Sequence, residues 1–218
     1  MIPNFNEEKI LWKQGFKFVV GLDEAGRGPL AGPVVAGAVL FKPAKKILLK
    51  GINDSKKLSA KQREKIFEIL TKHPKIEWGI GIVSEKIIDK INILEASKLA
   101  MQKAVYNLGE KMCYQKTRYR VFFDNSWFLL LDGNFTINSI VRQKAVVKGD
   151  QKVVSIAAAS IIAKVTRDRI MEKYNKKYPQ YKFDKHKGYP TKLHVEMLKK
   201  FGACPIHRKS FQPVRDLK

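Results

Sequence analysis

The sequence is poor in cysteine, in acidic residues and in long apolar runs. Its two cysteines, Cys113 and Cys204, stand far apart, which excludes a disulfide framework and a paired-thiolate zinc site. No apolar run approaches the roughly 20 residues that a membrane helix needs. The first six residues also lack the shape of a signal peptide. We therefore expect a cytoplasmic protein that does not associate with membranes.

Acidic residues are fewer than half as numerous as basic ones. The chain has 20 Asp and Glu against 43 Lys and Arg, which leaves a net charge of +23. Such an excess repels itself unless it meets a polyanion, so nucleic acid is the predicted partner, with a merely solvated lysine surface as the alternative. The histidines form no zinc-ligand pattern, and we expect them at the surface or against nucleic acid: His73, His186, His194 and His207.

The 218 residues, 44% of them apolar, suit one compact domain. Alternating or continuous apolar runs predict strands at 16–22, 34–41, 76–83, 121–123, 128–131 and 145–147. Helical periodicity and capping residues predict helices that begin near Ser59, Asn92, Ser155 and Thr191. Strands fall early and helices mostly late, which favours a mixed sheet over a doubly wound parallel one, with the first two strands antiparallel.

The segment 19–33 is the most informative part of the chain. An apolar run ends in Asp23 and Glu24, and a loop with three glycines and two prolines around Arg27 follows directly. Successive side chains of a strand point to opposite faces, so both carboxylates reach one site only if the strand bends, bulges or ends there. The loop glycines permit such a change of direction.

Two further acids, Asp132 and Asp150, also follow apolar runs. One sheet edge could gather all four carboxylates, which would repel one another unless divalent cations bridged them. Such a cluster is typical of two-metal phosphodiester hydrolysis with Mg²⁺ or Mn²⁺. Asp124 competes with Asp132 for the third position. Asp168 lies inside a predicted helix, where a structural salt bridge or a position on the helix surface is expected.

Seven segments resemble bacterial ribonuclease HII and occur in that family's order over nearly the whole chain. One is Leu131-Asp132-Gly133-Asn134, which favours Asp132 over Asp124 because Asp124-Asn125 carries no such motif. The matching segments are 21–33, 53–58, 131–134, 147–150, 157–168, 186–191 and 208–214. The chain departs from the family's pattern between Gly109 and Trp127, where it is longer than usual.

The resemblance implies an α/β fold, a ribonuclease H-like mixed sheet flanked by helices. It implies a single catalytic domain over 1–218, in which residues 178–218 form a helical, substrate-contacting C-terminal portion. The implied activity is endonucleolytic cleavage of RNA in RNA–DNA hybrids, together with incision 5′ of ribonucleotides embedded in duplex DNA. Such an enzyme would use two Mg²⁺ or Mn²⁺ ions, leave 3′-hydroxyl and 5′-phosphate ends, act as a monomer and serve ribonucleotide excision repair.

The resemblance also assigns roles to individual residues. The catalytic and metal-binding acids would be Asp23, Glu24, Asp132 and Asp150. The groups that contact the ribose 2′-hydroxyl, the adjoining phosphates and the sugar face would be Gly26, Arg27, Gly28 and Tyr189. The roles are chemically reasonable, because the 2′-hydroxyl is the one group that distinguishes the two sugars. Residues 54–57 resemble a phosphate-contacting segment more weakly.

Three alternatives remain open at this point. Another metal nuclease of the same broad fold, such as a junction resolvase or an integrase core, would not be expected to combine the Gly-Arg-Gly loop with the distant segment 187–191. Ribonuclease HIII usually has an additional N-terminal domain, whereas only about a dozen residues precede the first predicted strand here. A binding protein without catalytic activity would leave the four acids at strand ends unexplained.

Overall fold

A five-stranded mixed sheet forms the centre of the computed structural model, which describes residues 2–43, 51–52, 55–114 and 124–217. The strand order is β3-β2-β1-β4-β5; β2 lies antiparallel to β1 and β3, whereas β4 lies parallel to β1 and β5. The mixed sheet and the antiparallel first pair confirm the sequence prediction. The strands are β1 Phe18–Ala25, β2 Val34–Phe41, β3 Ile76–Val83, β4 Trp127–Asp132 and β5 Arg142–Val146.

Helices cover both faces of this sheet, again as predicted. The Ser59 capping box with Gln62 and the Thr191 cap are both present. Among the described residues, no helix is long and apolar enough to cross a membrane. The helices are α1 Asn6–Lys13, α2 Ala60–Lys72, α3 Glu85–Tyr114, α4 Val154–Lys177, α5 Phe183–His186 and α6 Lys192–Phe201.

The two long helices pack on opposite faces. The α3 side buries Val20 and Leu22 of β1, whereas the α4 side buries Val19. Helix α4 approaches the sheet through its small residues, as its alanine run predicts. A Cβ added at Gly37 of β2 would press against the carbonyl oxygen of Ala159, so the glycine permits the close packing.

Two predicted helix starts need correction. Ser155 does not cap α4 through its side chain; instead its backbone N–H donates to Glu8 Oε1 at 2.9 Å, from a buried glutamate on α1. A carboxylate delivered from another helix leaves no local sequence signal. Asn92 does accept the expected backbone bonds, but it lies at a kink inside α3, which begins earlier. The strand predicted at 121–123 lies outside the described residues.

The C-terminal portion packs against the loop that follows β1. Three backbone hydrogen bonds of 2.8 Å join them: Leu30 N–H donates to Gly188 O, Gly32 N–H to Ile206 O, and Arg208 N–H to Leu30 O. The loop that follows the two acidic residues of β1 is therefore anchored by a part of the chain that lies 158 to 178 residues further on.

Candidate active site

Strand alternation places two aspartates on the same face of the sheet. Because Val19 contacts the α4 side, Asp23 lies on that side too, four residues along the same strand. In β4, Leu130 contacts the α4 side, and Asp132 follows two residues later. The parallel register pairs Leu22 with Leu131, so Asp23 and Asp132 come next to one another at the same edge.

Asp150 approaches this pair from the start of α4. It lies on the short turn Gly149–Gln151 and is 3% exposed. The Gly149 N–H donates to Asp132 Oδ1 at 2.7 Å, which ties that turn to the end of β4. As a result, carboxylate oxygens of Asp23, Asp132 and Asp150 all lie within 4.8 Å of one another.

Glu24 reaches the same region from the other face of β1. It lines the same cavity, yet it is not one of the three acids whose oxygens converge. Its Oε1 accepts a hydrogen bond from Arg27 Nη1 at 3.2 Å, and its Oε2 is buried without a hydrogen-bond partner among the described residues. The strand was expected to end at Leu22, but β1 continues past both carboxylates to Ala25. Its pairing with β4 does end at Leu22, whereas its pairing with β2 continues to Ala25.

Burial and mutual repulsion make the acid cluster unfavourable on its own. Burial, followed by the charge of Glu24 and then that of Asp132, raises the pKa of Asp23 well above its usual value. Burial also raises the pKa of Glu24, although Arg27 opposes the change. The Lys56 ammonium lies 3.7 Å from Asp150 Oδ2, but the Lys56 side chain is 83% exposed.

A divalent cation fits this donor set. Closely spaced carboxylate oxygens are the ligands that Mg²⁺ and Mn²⁺ prefer, and the cation would relieve the repulsion described above. The buried Glu24 Oε2 offers one further oxygen, which accepts no hydrogen bond within the part of the chain that the structure describes.

The cavity beside the acids has a volume of about 350 Å³. Tyr189 lies across from the loop: a Cβ added at Gly28 would lie 3.9 Å from its Cε1. Gly26 has φ +102°, and a Cβ there would overlap the Arg167 side chain, so the position requires glycine. Besides the acids Asp23, Glu24 and Asp132, the lining includes Gly26, Arg27, Gly28, Ser55, Lys56, Arg63, Ser160, Lys164 and Tyr189.

The competing acids lie elsewhere. Asp124 is exposed, precedes β4 at the end opposite to Asp132, and accepts hydrogen bonds from Ser126 that lower its pKa. Asp168 forms an ion pair with Lys164 at 2.7 Å, as its position in a helix predicted. In the matching segment 53–58, which includes the weakly matching residues 54–57, residues 53 and 54 lie outside the described residues. The hydroxyl of Ser55 in this segment lies 2.6 Å from the hydroxyl of Ser160.

The prediction that the histidines lie at the surface is wrong for three of them. His186, His194 and His207 are 7%, 0% and 2% exposed and pack together behind Tyr189. His194 Nδ1 lies 3.0 Å from Tyr189 O, and its Nε2 lies 3.0 Å from His207 Nε2. These partners are far apart in sequence or belong to the backbone, so the sequence gives no sign of the burial.

Comparison with known proteins agrees with this arrangement. The family model described as Ribonuclease HII matches residues 20–214. Ribonuclease HII from Caldanaerobacter subterraneus subsp. tengcongensis is 50% identical over 204 residues, which are 94% of this chain and 78% of that protein. Ribonuclease HII from Chlamydia muridarum is 51% identical over 94% of this chain and 86% of its own.

A solved structure agrees as well. The crystal structure of ribonuclease H2 from Pyrococcus horikoshii OT3 superposes with a TM-score of 0.65 at 30% identity, covering 91% of this chain and 96% of that one. The mixed sheet flanked by helices is thus the fold of a ribonuclease H. On these grounds the chain belongs to the ribonuclease HII family of metal-dependent nucleases.

Proposed function

We propose that this enzyme cuts the RNA strand of RNA–DNA hybrids and also incises duplex DNA on the 5′ side of an embedded ribonucleotide. The observation that carries the proposal is the convergence of Asp23, Asp132 and Asp150 beside a cavity that the Gly26–Gly28 loop and Tyr189 also line. An acid cluster alone would fit many nucleases. A glycine loop and an aromatic ring at the same cavity favour one that inspects a sugar.

The three aspartates, with Glu24, would hold two divalent ions, Mg²⁺ or Mn²⁺. When bound, such ions supply an activated water and stabilise the charge that develops on the phosphate and the leaving oxygen. The contribution of the chain is to keep these carboxylates close together, although burial and repulsion raise the pKa of Asp23. The Gly149 N–H, bonded to Asp132 Oδ1, fixes the orientation of that carboxylate.

The ribose would be recognised by the loop and by Tyr189. Glycines at 26 and 28 let backbone groups approach the 2′-hydroxyl, the only group that differs between the two sugars. The Arg27 side chain is 46% exposed, and its guanidinium would contact an adjoining phosphate. Tyr189, 39% exposed, offers a ring to the sugar face and a hydroxyl for a hydrogen bond.

The net charge of +23 supports a nucleic acid substrate, since phosphates would neutralise a surface that otherwise repels itself. We propose that the enzyme works as a monomer in the cytoplasm. There it would start the removal of ribonucleotides left in DNA.

The test is cleavage of a DNA duplex that contains one ribonucleotide, with all-DNA and EDTA controls. We expect one cut on the 5′ side of the ribonucleotide, with a 3′-hydroxyl on one fragment and a 5′-phosphate on the ribonucleotide. Because the 2′-hydroxyl serves for recognition and not as the nucleophile, no 2′,3′-cyclic phosphate should form. A cyclic phosphate, equal cutting of the all-DNA duplex, or full activity in EDTA would contradict the proposal.

A further inference from the structure

Two arginines behind the ribose-facing loop are completely buried. Arg167 and Arg208 are each 0% exposed, which is rare for a cation. Within the described residues, every hydrogen bond of the Arg208 guanidinium ends on a backbone carbonyl and none on a carboxylate. A buried cation costs free energy to desolvate, and the charges of Asp89 and Glu85 offset only part of the effect of burial on Arg208. The direct partners of its guanidinium are carbonyls, so its effect on the structure is sought there.

Those carbonyls belong to the loop itself. Arg208 Nη2 donates to Gly26 O at 2.6 Å, Nη1 to Arg27 O at 3.0 Å, and Nε to Gly32 O at 3.0 Å. The guanidinium is a rigid planar fork, so binding three carbonyls fixes their positions relative to one another.

The position of these carbonyls determines where the next N–H groups point. In a trans peptide unit, the C=O of one residue and the N–H of the next point in opposite directions. With Gly26 O and Arg27 O held inward by Arg208, the N–H groups of Arg27 and Gly28 point away from Arg208. In the part of the chain that the structure describes, neither of these N–H groups donates to a protein acceptor. The same residues line the cavity beside the acids.

We propose that Arg208 is a positioning residue, which holds the Gly26 and Arg27 carbonyls inward so that the N–H groups of Arg27 and Gly28 are presented to the ribose of the substrate. The inference rests on the proposed function, because it explains what fixes the geometry of the loop that would recognise the ribose. Burial lowers the pKa of Arg208 to about 9, so the side chain stays charged at neutral pH and all of its donors remain available.

The test compares Arg208→Lys with the surface control Arg215→Met. Arg215 lies in the same C-terminal portion, with a side chain that is 59% exposed. A lysine keeps the charge but has no planar fork that spans three carbonyls. We expect kcat/KM on the single-ribonucleotide duplex to fall about tenfold or more with Arg208→Lys, as for the loss of a substrate hydrogen bond. Arg215→Met should leave it unchanged.

Two readouts separate positioning from a merely structural role. The inhibition constant of an all-DNA duplex and the rise in Tm with Mn²⁺ should both stay at wild-type values in Arg208→Lys. The inference is wrong if this variant keeps wild-type kcat/KM, or if it loses DNA binding and the Mn²⁺ response together with activity. Failure of the wild-type enzyme to cut the ribonucleotide duplex would instead contradict the proposed function.

If Arg208→Lys does not fold, hydrogen exchange in the wild-type protein decides the question. The Arg208 Nε–H should exchange slowly both in the free enzyme and in its complex. The Arg27 and Gly28 amides should become protected with a single-ribonucleotide duplex and not with an all-DNA duplex. Fast exchange of the Arg208 Nε–H, or equal protection by the two duplexes, would overturn the inference.

Discussion

The edge of the sheet and the region behind the loop both bury charge, but they satisfy it differently. At the edge, Asp23 and Asp150 are 6% and 3% exposed beside Asp132, and the pKa of Asp23 is raised. Behind the loop, Arg167 and Arg208 are fully buried, and the carbonyls of the loop and of Lys187 accept their hydrogen bonds.

The difference shows that the acid cluster and the buried arginines have separate tasks, one to bind a ligand and the other to hold a loop in place. A buried charge whose hydrogen bonds are complete stabilises one conformation, whereas a cluster of like charges is unstable until a ligand neutralises it. The acids are therefore suited to receive cations, and the arginines to keep a loop in shape. Removing a group from one region should leave the task of the other intact.

The largest expected effect comes from the acid cluster. Asp132→Asn keeps the shape of the side chain but removes a charge, so cleavage should fall at least about 10³-fold, or about 4 kcal/mol of transition-state stabilisation. Folding and binding to a hybrid should persist, as judged by circular dichroism and fluorescence anisotropy. Asp124→Asn is the matched control and should stay active; the reverse pattern would show that Asp124 is the third acid.

The salt dependence of nucleic-acid binding should change when a surface cation is replaced and stay the same when a buried one is replaced. Several phosphate contacts would make affinity fall by orders of magnitude between roughly 50 and 200 mM salt. Arg27→Gln should reduce the slope of log affinity against log salt by about one, because one phosphate contact is lost. Arg208→Lys should leave the slope unchanged. An affinity that is flat over this range would mean that the positive charge does not face nucleic acid.

A smaller effect is expected at the sugar face. Tyr189→Ala should slow cutting of the single-ribonucleotide duplex about tenfold, which corresponds to about 1.4 kcal/mol of transition-state stabilisation. Overall affinity should change less, because phosphates dominate it. Tyr106, 50% exposed on α3, provides the control Tyr106→Ala. An equal loss in both variants would assign no special role to Tyr189.

The smallest effect concerns pH. Burial lowers the pKa of His194 and of His207 to about 4, below the value of 6.5 in an unfolded chain. The unfolded chain therefore binds more protons between these values, and the free energy of unfolding should fall as pH drops from about 6.5 to about 4. Urea unfolding at a series of pH values measures this change.

The surroundings of the His194 and His207 rings support the predicted fall in the free energy of unfolding on acidification. The neighbouring rings of His186, Tyr181 and Phe183 offer no negative charge to stabilise an imidazolium. A stability that rises on acidification through this range would show that the buried rings are charged in the folded protein.

Local patterns in the sequence predicted most of the fold. Alternating apolar residues and capping boxes act over a few residues, so β2, β3 and the start of α2 were placed correctly. The cap of α4 was not, because Glu8 reaches it from α1.

The acids and glycines that line the candidate site were singled out in the sequence, but the groups that hold them in place were not. Strand ends indicated Asp23 and Asp132, while the separation of Glu24 from the aspartate trio depends on which face packs against α4. Arg208 begins the matching segment 208–214, but no role was predicted for it, since its partners are backbone carbonyls more than 170 residues away.

The division between the two regions is tested most directly by the change in Tm that Mn²⁺ produces. A ligand present at 100 times its Kd stabilises the folded state by about 2.7 kcal/mol. The wild-type protein and Arg208→Lys should therefore show equal rises in Tm, and Asp132→Asn little or none. A rise in Asp132→Asn equal to that of the wild type would contradict the assignment of the acid cluster as the metal site.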